Sequence, residues 1–322
     1  MSEPEIVAGI LLLALTAYAV LAGADFGGGV WDLLASGPRA RDQRRAVAEA
    51  MGPVWEANHV WLIFMIVGLF TAFPSAFARL SLDLYVPFTI ALIGIVLRGA
   101  AFAFRAHGRE AAGDASAWGL AFGAASIVAP FSLAIGLAAV ASASADRWAT
   151  PFGVLLGVFA VSLCAYLAAT YLTVEAEGTA LESDFRRRAI ASGLASGVLA
   201  LACLGLAPGA APSFAHSLLG RGLPLLILAL VNGPVALVAV WRSRPRIARF
   251  AVAAQVTFVL WAWAVGQWPN LVPPDITIAD AAAPPSVLTA LLVVIGIGMA
   301  LLLPSLWLLF RVFKTRTPAA TY

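Results

Sequence analysis

Charge is what this chain has least of. Charged residues make up 11% of its 322 positions, against 61% hydrophobic ones, and the mean hydropathy is +0.92. A soluble domain of this length has no use for so much apolar side chain, and the apolar runs are long enough to cross a bilayer. The composition therefore excludes a soluble enzyme and gives an all-α polytopic membrane protein. Long connecting segments are also lacking, which leaves no room for a separate soluble domain. The net charge of +3 makes no case for a nucleic-acid partner. Residues 1–4 lack the positive stretch of a cleavable signal, and the apolar run behind them has full membrane length, so the first span is expected to be retained.

Metal-binding side chains are scarce too. The two cysteines, Cys164 and Cys203, lie inside apolar runs and read as small buried hydrophobes. Of the three histidines only His59 falls within a span; His107 and His216 fall in connections. A b-type haem takes axial His or Met ligands from facing helices, so one intramembrane histidine argues against a haem held wholly by this chain. Zinc is excluded for want of a His/Cys cluster. The triplet Gly27-Gly28-Gly29 is followed by no Gly-Lys-Ser/Thr and preceded by no strand, so it reads as close helix packing or an interrupted helix end.

What is present is nine apolar runs, near 5–26, 53–73, 80–104, 117–142, 150–174, 189–209, 221–241, 247–268 and 286–311. Short connections make neighbouring helices antiparallel. Seventeen of the 20 Lys and Arg fall on alternate connections, leaving Arg79, Arg147 and Arg221 on the other side. The positive-inside rule then puts the N-terminus outside and the C-terminus in the cytoplasm. A faint repeat links Ala17-Tyr18, Asp25 and Arg44-Arg45-Ala46-Val47-Ala48 to Ala165-Tyr166, Glu175 and Arg187-Arg188-Ala189-Ile190-Ala191. It predicts one integral membrane domain built as two four-helix bundles, 1–145 and 146–270, with a peripheral ninth helix and tail over 271–322. Pro130, Pro224 and Pro234 fall inside spans, the last within a turn-like Asn232-Gly233-Pro234. Trp31, Trp148, Trp241 and Trp268 sit near span ends, where interfacial anchoring is expected.

The polar residues converge at one depth. Gly52-Pro53-Val54-Trp55-Glu56-Ala57-Asn58-His59-Val60-Trp61 opens the second span, with Glu56 and His59 three apart on one helical face. Asp25 ends the first span, and Arg98 lies about two turns before the end of the third. Asp25, Glu56, Asn58, His59 and Arg98 thus share the inner level of three adjacent helices. Ionisable groups inside a membrane are costly unless paired or hydrated. One reading has Arg98 neutralise Asp25 or Glu56 and merely tie the helices together. The other has the acids and the imidazole line a hydrated proton path.

Three stretches resemble subunit II of the cytochrome bd-type quinol oxidases: Gly23-Ala24-Asp25-Phe26-Gly27-Gly28-Gly29, the Trp55-Glu56-Ala57-Asn58-His59-Val60-Trp61 run, and Leu97-Arg98-Gly99-Ala100-Ala101-Phe102-Ala103-Phe104-Arg105. Leu69-Phe70-Thr71-Ala72-Phe73-Pro74, Thr150-Pro151-Phe152-Gly153 and Thr277-Ile278-Ala279-Asp280-Ala281 fit in the same order. The resemblance implies a bacterial plasma-membrane complex that oxidises quinol and reduces dioxygen to water. It implies that haems b and d sit in a homologous nine-helix subunit I, and that this chain is an accessory subunit, binding no cofactor wholly on its own. In some members such a subunit holds a structural quinone, and in some a small single-span subunit joins the heterodimer. The resemblance maps a proton path onto Glu56 and Asp25, with Asn58 and His59 beside them and Arg98 as charge partner. It maps an oxygen route near Trp61 and Trp55. The motif acid is Glu where some members carry Asp, and the loops are short for the family. Two other readings remain: an independent multi-pass transporter built of parallel repeats, whose polar residues belong near the midplane, and a purely structural scaffold without a proton role.

Overall fold

The computed structural model describes residues 2–51, 55–107, 117–143 and 148–314; the side chains at 51, 55–57, 106–107, 303, 306–307 and 309–314 lie outside that description. The chain runs α1 (Glu3–Leu33), α2 (Ala40–Met51), α3 (Trp55–Ala72), α4 (Pro74–Asp83), α5 (Tyr85–His107), α6 (Ala117–Ala141) and α7 (Pro151–Glu175). It continues through α8 (Ala180–Ala210), α9 (Pro212–Gly220), α10 (Leu223–Trp241) and α11 (Pro245–Gln267). A short hairpin, β1 (Asn270–Val272) and β2 (Ile276–Thr277), precedes α12 (Pro285–Lys314).

Eight of the described helices are long and apolar enough to cross a membrane, and α3 with α4 makes a ninth if that bent pair is one span. The all-α polytopic architecture expected from hydropathy is therefore present. The helix starts follow local chemistry. The Ser2 amide donates to the Glu5 carboxylate at 2.8 Å, and the Thr150 hydroxyl accepts from the Gly153 amide at 3.0 Å, just ahead of Pro151, which satisfy otherwise orphaned groups at helix N-termini.

Three short helices depart from the hydropathy reading. The third span, expected from residue 80, is instead preceded by a separate helix, α4, set off from α3 by a break at Phe73–Pro74. There α4 turns 118° from α3, and α5 starts only at Tyr85. Helices α2 and α9 occupy connections read as loops. The turn expected at Asn232-Gly233-Pro234 is absent; α10 continues through it. Asn232 Nδ2 instead donates to the Ala251 carbonyl at 2.8 Å and to Gln255 Oε1 at 3.0 Å, tying α10 to α11.

Helix α1 is the central element, packed against α3, α6, α7, α11 and α12. Its glycines permit this. A Cβ at Gly27 would stand 1.9 Å from the Cys164 carbonyl oxygen on α7, and one at Gly29 would stand 2.1 Å from Ser126 Oγ on α6. Glycine lets the backbones approach where lipid supplies no hydrophobic drive. At the end away from the Arg-rich connections, Val272 of the hairpin packs with Val7, Phe73, Ala76 and Leu288, closing α1, α3, α4 and α12 together.

Candidate functional site

At 31 residues, α1 is about 46 Å long, well beyond the roughly 30 Å of bilayer hydrocarbon. Its last three turns carry Asp25 and Asp32, and both carboxylates are buried. Arg98 of α5 meets Asp25: Nη2 lies 2.6 Å from Oδ1 and 3.2 Å from the Asp25 carbonyl. Arg98 Nε donates to Ser126 Oγ on α6 at 2.9 Å, and that hydroxyl donates to the Phe122 carbonyl at 2.7 Å. The guanidinium carbon lies 4.8 Å from the Phe122 ring centre and 5.3 Å from that of Phe26. Only 2% of Arg98 and 3% of Asp25 is exposed. The pair has the added hydrogen bonds that a buried ion pair needs to offset its desolvation.

One heptad further along both helices the arrangement repeats. Arg105 Nη1 and Nη2 grip Asp32 Oδ2 and Oδ1 at 2.8 and 2.9 Å, a bidentate fork. Asp25 and Asp32 are seven apart on α1, Arg98 and Arg105 seven apart on α5. The two helices therefore run parallel and in register, with two neutral rungs. Sequence reasoning gave Arg98 either Asp25 or Glu56 as its partner, and the structure pairs it with Asp25; Asp32 and Ser126 were missed. The signal for Asp32 was the matching seven-residue spacing; Ser126 carried no signal beyond its depth.

On α3, Asn58 is 1% exposed, and neither its amide nitrogen nor its oxygen has a hydrogen-bond partner among the described residues. Trp61 and Leu62 share its face and pack against Tyr18, Ala22, Phe26 and Ala129. The Tyr18 hydroxyl is likewise buried and unpartnered. Asn58 thus lies one turn beyond Trp61 on the face toward α1. His59 is half-buried. Glu56 and Trp55 start α3, but their side chains lie outside the described residues, so the expected Glu56–His59 pairing does too. The structure brings Asp25 and Arg98 together and packs Trp61 against the cluster of Tyr18, Ala22, Phe26 and Ala129.

A second tie joins α1, α2 and α8. Arg39 Nε and Nη2 reach Asp184 Oδ2 and Oδ1 at 2.9 and 2.7 Å, and Gln43 Nε2 donates to Oδ2 at 3.0 Å. Hydrogen bonding to that carboxylate holds the Arg39 guanidinium above its ordinary range. Arg188 donates to Gln43 Oε1 at 2.7 Å and stacks 5.2 Å from the Trp31 ring centre. Trp31 is therefore no interfacial anchor: it is buried, and its Nε1 donates to the Ala165 carbonyl at 2.7 Å. Trp241 and Trp268 are exposed, as expected of anchors.

The three histidines lie on three different helices. His59 is on α3, His216 is exposed on α9 at the far end, and the His107 side chain lies outside the described residues. Among the described residues no group of three or more His, Cys, Asp or Glu converges as metal ligands.

Residues 3–313 match the family model for cytochrome bd terminal oxidase subunit II. The chain belongs to that family. It is 28% identical over 214 residues to cytochrome bd-I ubiquinol oxidase subunit 2 of Escherichia coli K12, covering 62% of this chain and 54% of that one. A shorter stretch of 63 residues is 41% identical to cytochrome bd ubiquinol oxidase subunit 2 of Bacillus subtilis, 20% of this chain and 19% of that one. The chain thus spans between a fifth and about half the length of these two relatives. A putative cytochrome bd menaquinol oxidase subunit II, also from Bacillus subtilis, is 20% identical over 320 residues, 92% of this chain and 91% of that one. The fold is similar to that of a chain in the bd oxidase structure from Geobacillus thermodenitrificans, with a TM-score of 0.84 at 25% identity, covering 98% of this chain and 100% of that one.

Proposed function

We propose that this chain is the haem-free second subunit of a bd-type terminal oxidase, an enzyme that couples quinol oxidation to the reduction of dioxygen to water in a bacterial plasma membrane. The family match over residues 3–313 carries this reading. Its partner is a haem-bearing subunit I, and the chain sits with its N-terminus outside and its Arg-rich end in the cytoplasm. The two four-helix bundles with α12 at their flank form one membrane domain that braces that partner. The poor fit of the histidines to axial ligation supports placing haems b and d in subunit I.

Reduction of one dioxygen consumes four electrons and four protons, and the protons have to enter through the membrane. The α1–α3–α5 cluster at the Arg-rich end is the proposed route in this chain. Asp25 and Asp32 are each tied to an arginine in a buried ion pair, and in this reading the two pairs hold the helices that frame the path. Glu56 and His59 then carry the proton. Buried Asn58 and the Tyr18 hydroxyl offer polar atoms for intervening water. Trp61 and Trp55 flank the proposed oxygen route.

The test is affinity purification of the chain in mild detergent with a reduced-minus-oxidised spectrum. A second polytopic chain, b- and d-type haem bands and quinol-driven oxygen consumption are expected. A chain that comes out alone, colourless and stable contradicts the reading. The paired arginines also favour a second reading, a scaffold in which every buried charge is neutralised; it differs only in whether Glu56 has to titrate.

A further inference from the structure

Several arginines at the basic end are held by the protein itself. Arg39, Arg44, Arg45, Arg98, Arg105 and Arg188 each have a protein acceptor: Asp184, the Ala35 carbonyl, Glu49, Asp25, Asp32 and Gln43. Around the turn between α10 and α11 the pattern reverses. Arg242, Arg244 and Arg246 are exposed and have no ion pair or side-chain hydrogen bond among the described residues. Their neighbours are otherwise engaged: Arg186 donates to Ser243 Oγ, and Arg249 lies 4.5 Å from the Tyr171 ring centre.

Arg244 and Arg246, with Glu177, Pro245 and Ile247, line an open cleft of about 360 Å³. One carboxylate, Glu177 in the turn after α7, lines it opposite Arg244 and Arg246, with Arg242 two residues before them on the same turn. Apolar side chains flank the turn: Trp241 is 69% exposed, Phe250 77% and Ile247 51%. Three unpaired arginines within five residues, beside exposed aromatic and aliphatic surface, offer a headgroup site above an acyl-chain surface.

We infer that the α10–α11 turn binds the headgroup of an anionic phospholipid, with the phosphate held by Arg242, Arg244 and Arg246 and the acyl chains lying along Trp241, Ile247 and Phe250. The charge complementarity selects a net-negative lipid over a zwitterionic one. Each arginine near a membrane surface contributes about a fivefold preference, so the three together give about a hundredfold.

The experiment counts lipids retained by the purified protein, with whatever subunits accompany it, in native mass spectrometry. It is presented with equal amounts of phosphatidylglycerol and phosphatidylcholine. Wild type retains phosphatidylglycerol, and the R242Q/R244Q/R246Q variant loses that preference about a hundredfold at unchanged helicity. The R242K/R244K/R246K variant, which keeps the charge, retains most of it and guards against misfolding of the glutamine variant. Arg45→Gln, at the same end but paired with Glu49, leaves it intact. Equal retention of both lipids by wild type overturns the inference, as does an equal loss in Arg45→Gln, which would mean diffuse end charge. Displacement of phosphatidylglycerol by millimolar inorganic phosphate overturns it too, by assigning the site to a free anion. The readout is lipid retention rather than turnover, so it stands or falls apart from the oxidase reading.

Discussion

The two halves of this molecule handle buried polarity in opposite ways. In the first half the buried polar residues include Asp25, Asp32, Asn58 and Arg98; in the second they are Thr170, Thr173, Ser192, Ser196 and Gln267. Tyr18 on α1 and Tyr166 on α7, matched in the faint repeat, are both buried with unpartnered hydroxyls. Seven residues on, one helix carries Asp25 and the other Thr173, whose hydroxyl donates to the Ala169 carbonyl at 2.7 Å. Ser162 and Ser196 share a hydrogen bond at 2.9 Å between α7 and α8. The first half stakes its interior on charge and is strongly specified there. The second is stitched by hydroxyls, and none of its described arginines is fully buried.

The largest effect expected from this contrast is at Asp25. Asp25→Ala strands the Arg98 charge in the interior and should cost about 3–5 kcal/mol, read as a loss of thermal stability in detergent. An Asp25→Leu/Arg98→Met double variant should recover most of it. A single variant as stable as wild type would mean that the rung is not a buried pair.

Next is helix approach. Gly27→Ala drives a Cβ into the Cys164 carbonyl and should cost about 1–3 kcal/mol. In the second half, Gly197 on α8 has nothing within 4 Å of an added Cβ. Gly197→Ala should therefore stabilise by about 0.5–1 kcal/mol, and chemical denaturation of the two variants side by side gives the comparison. Smallest is Thr170→Val, which removes a buried hydroxyl with no partner among the described residues. It should be neutral or stabilise by at most about 1 kcal/mol; a marked loss would reveal a polar partner on that side of the molecule.

The spans were legible in the sequence because hydropathy over twenty residues is decided by composition, whatever the neighbours. The short helices were not. α4 begins where Pro74 follows Phe73, and only packing of Phe73 and Ala76 against Val7 and Val272 sets its 118° turn. α2 is amphipathic and holds one buried face, Val47, against α7 and α8. Trp31 read as an anchor from its position near the end of a span, but α1 extends past that depth and buries it. The site was half legible: the common depth of Asp25 and Arg98 followed from topology, while Ser126 became visible only when α6 closed on Gly29.

The most direct test of the account is the rate of quinol-driven oxygen consumption of the purified complex carrying Glu56→Gln. The substitution removes a titratable group and keeps the size of the side chain. If this half of the chain conducts protons, turnover should fall about tenfold or more, with the haem spectrum and subunit composition unchanged. Turnover equal to wild type would contradict the proton path, and the buried charges of the first half would then stand as a scaffold alone.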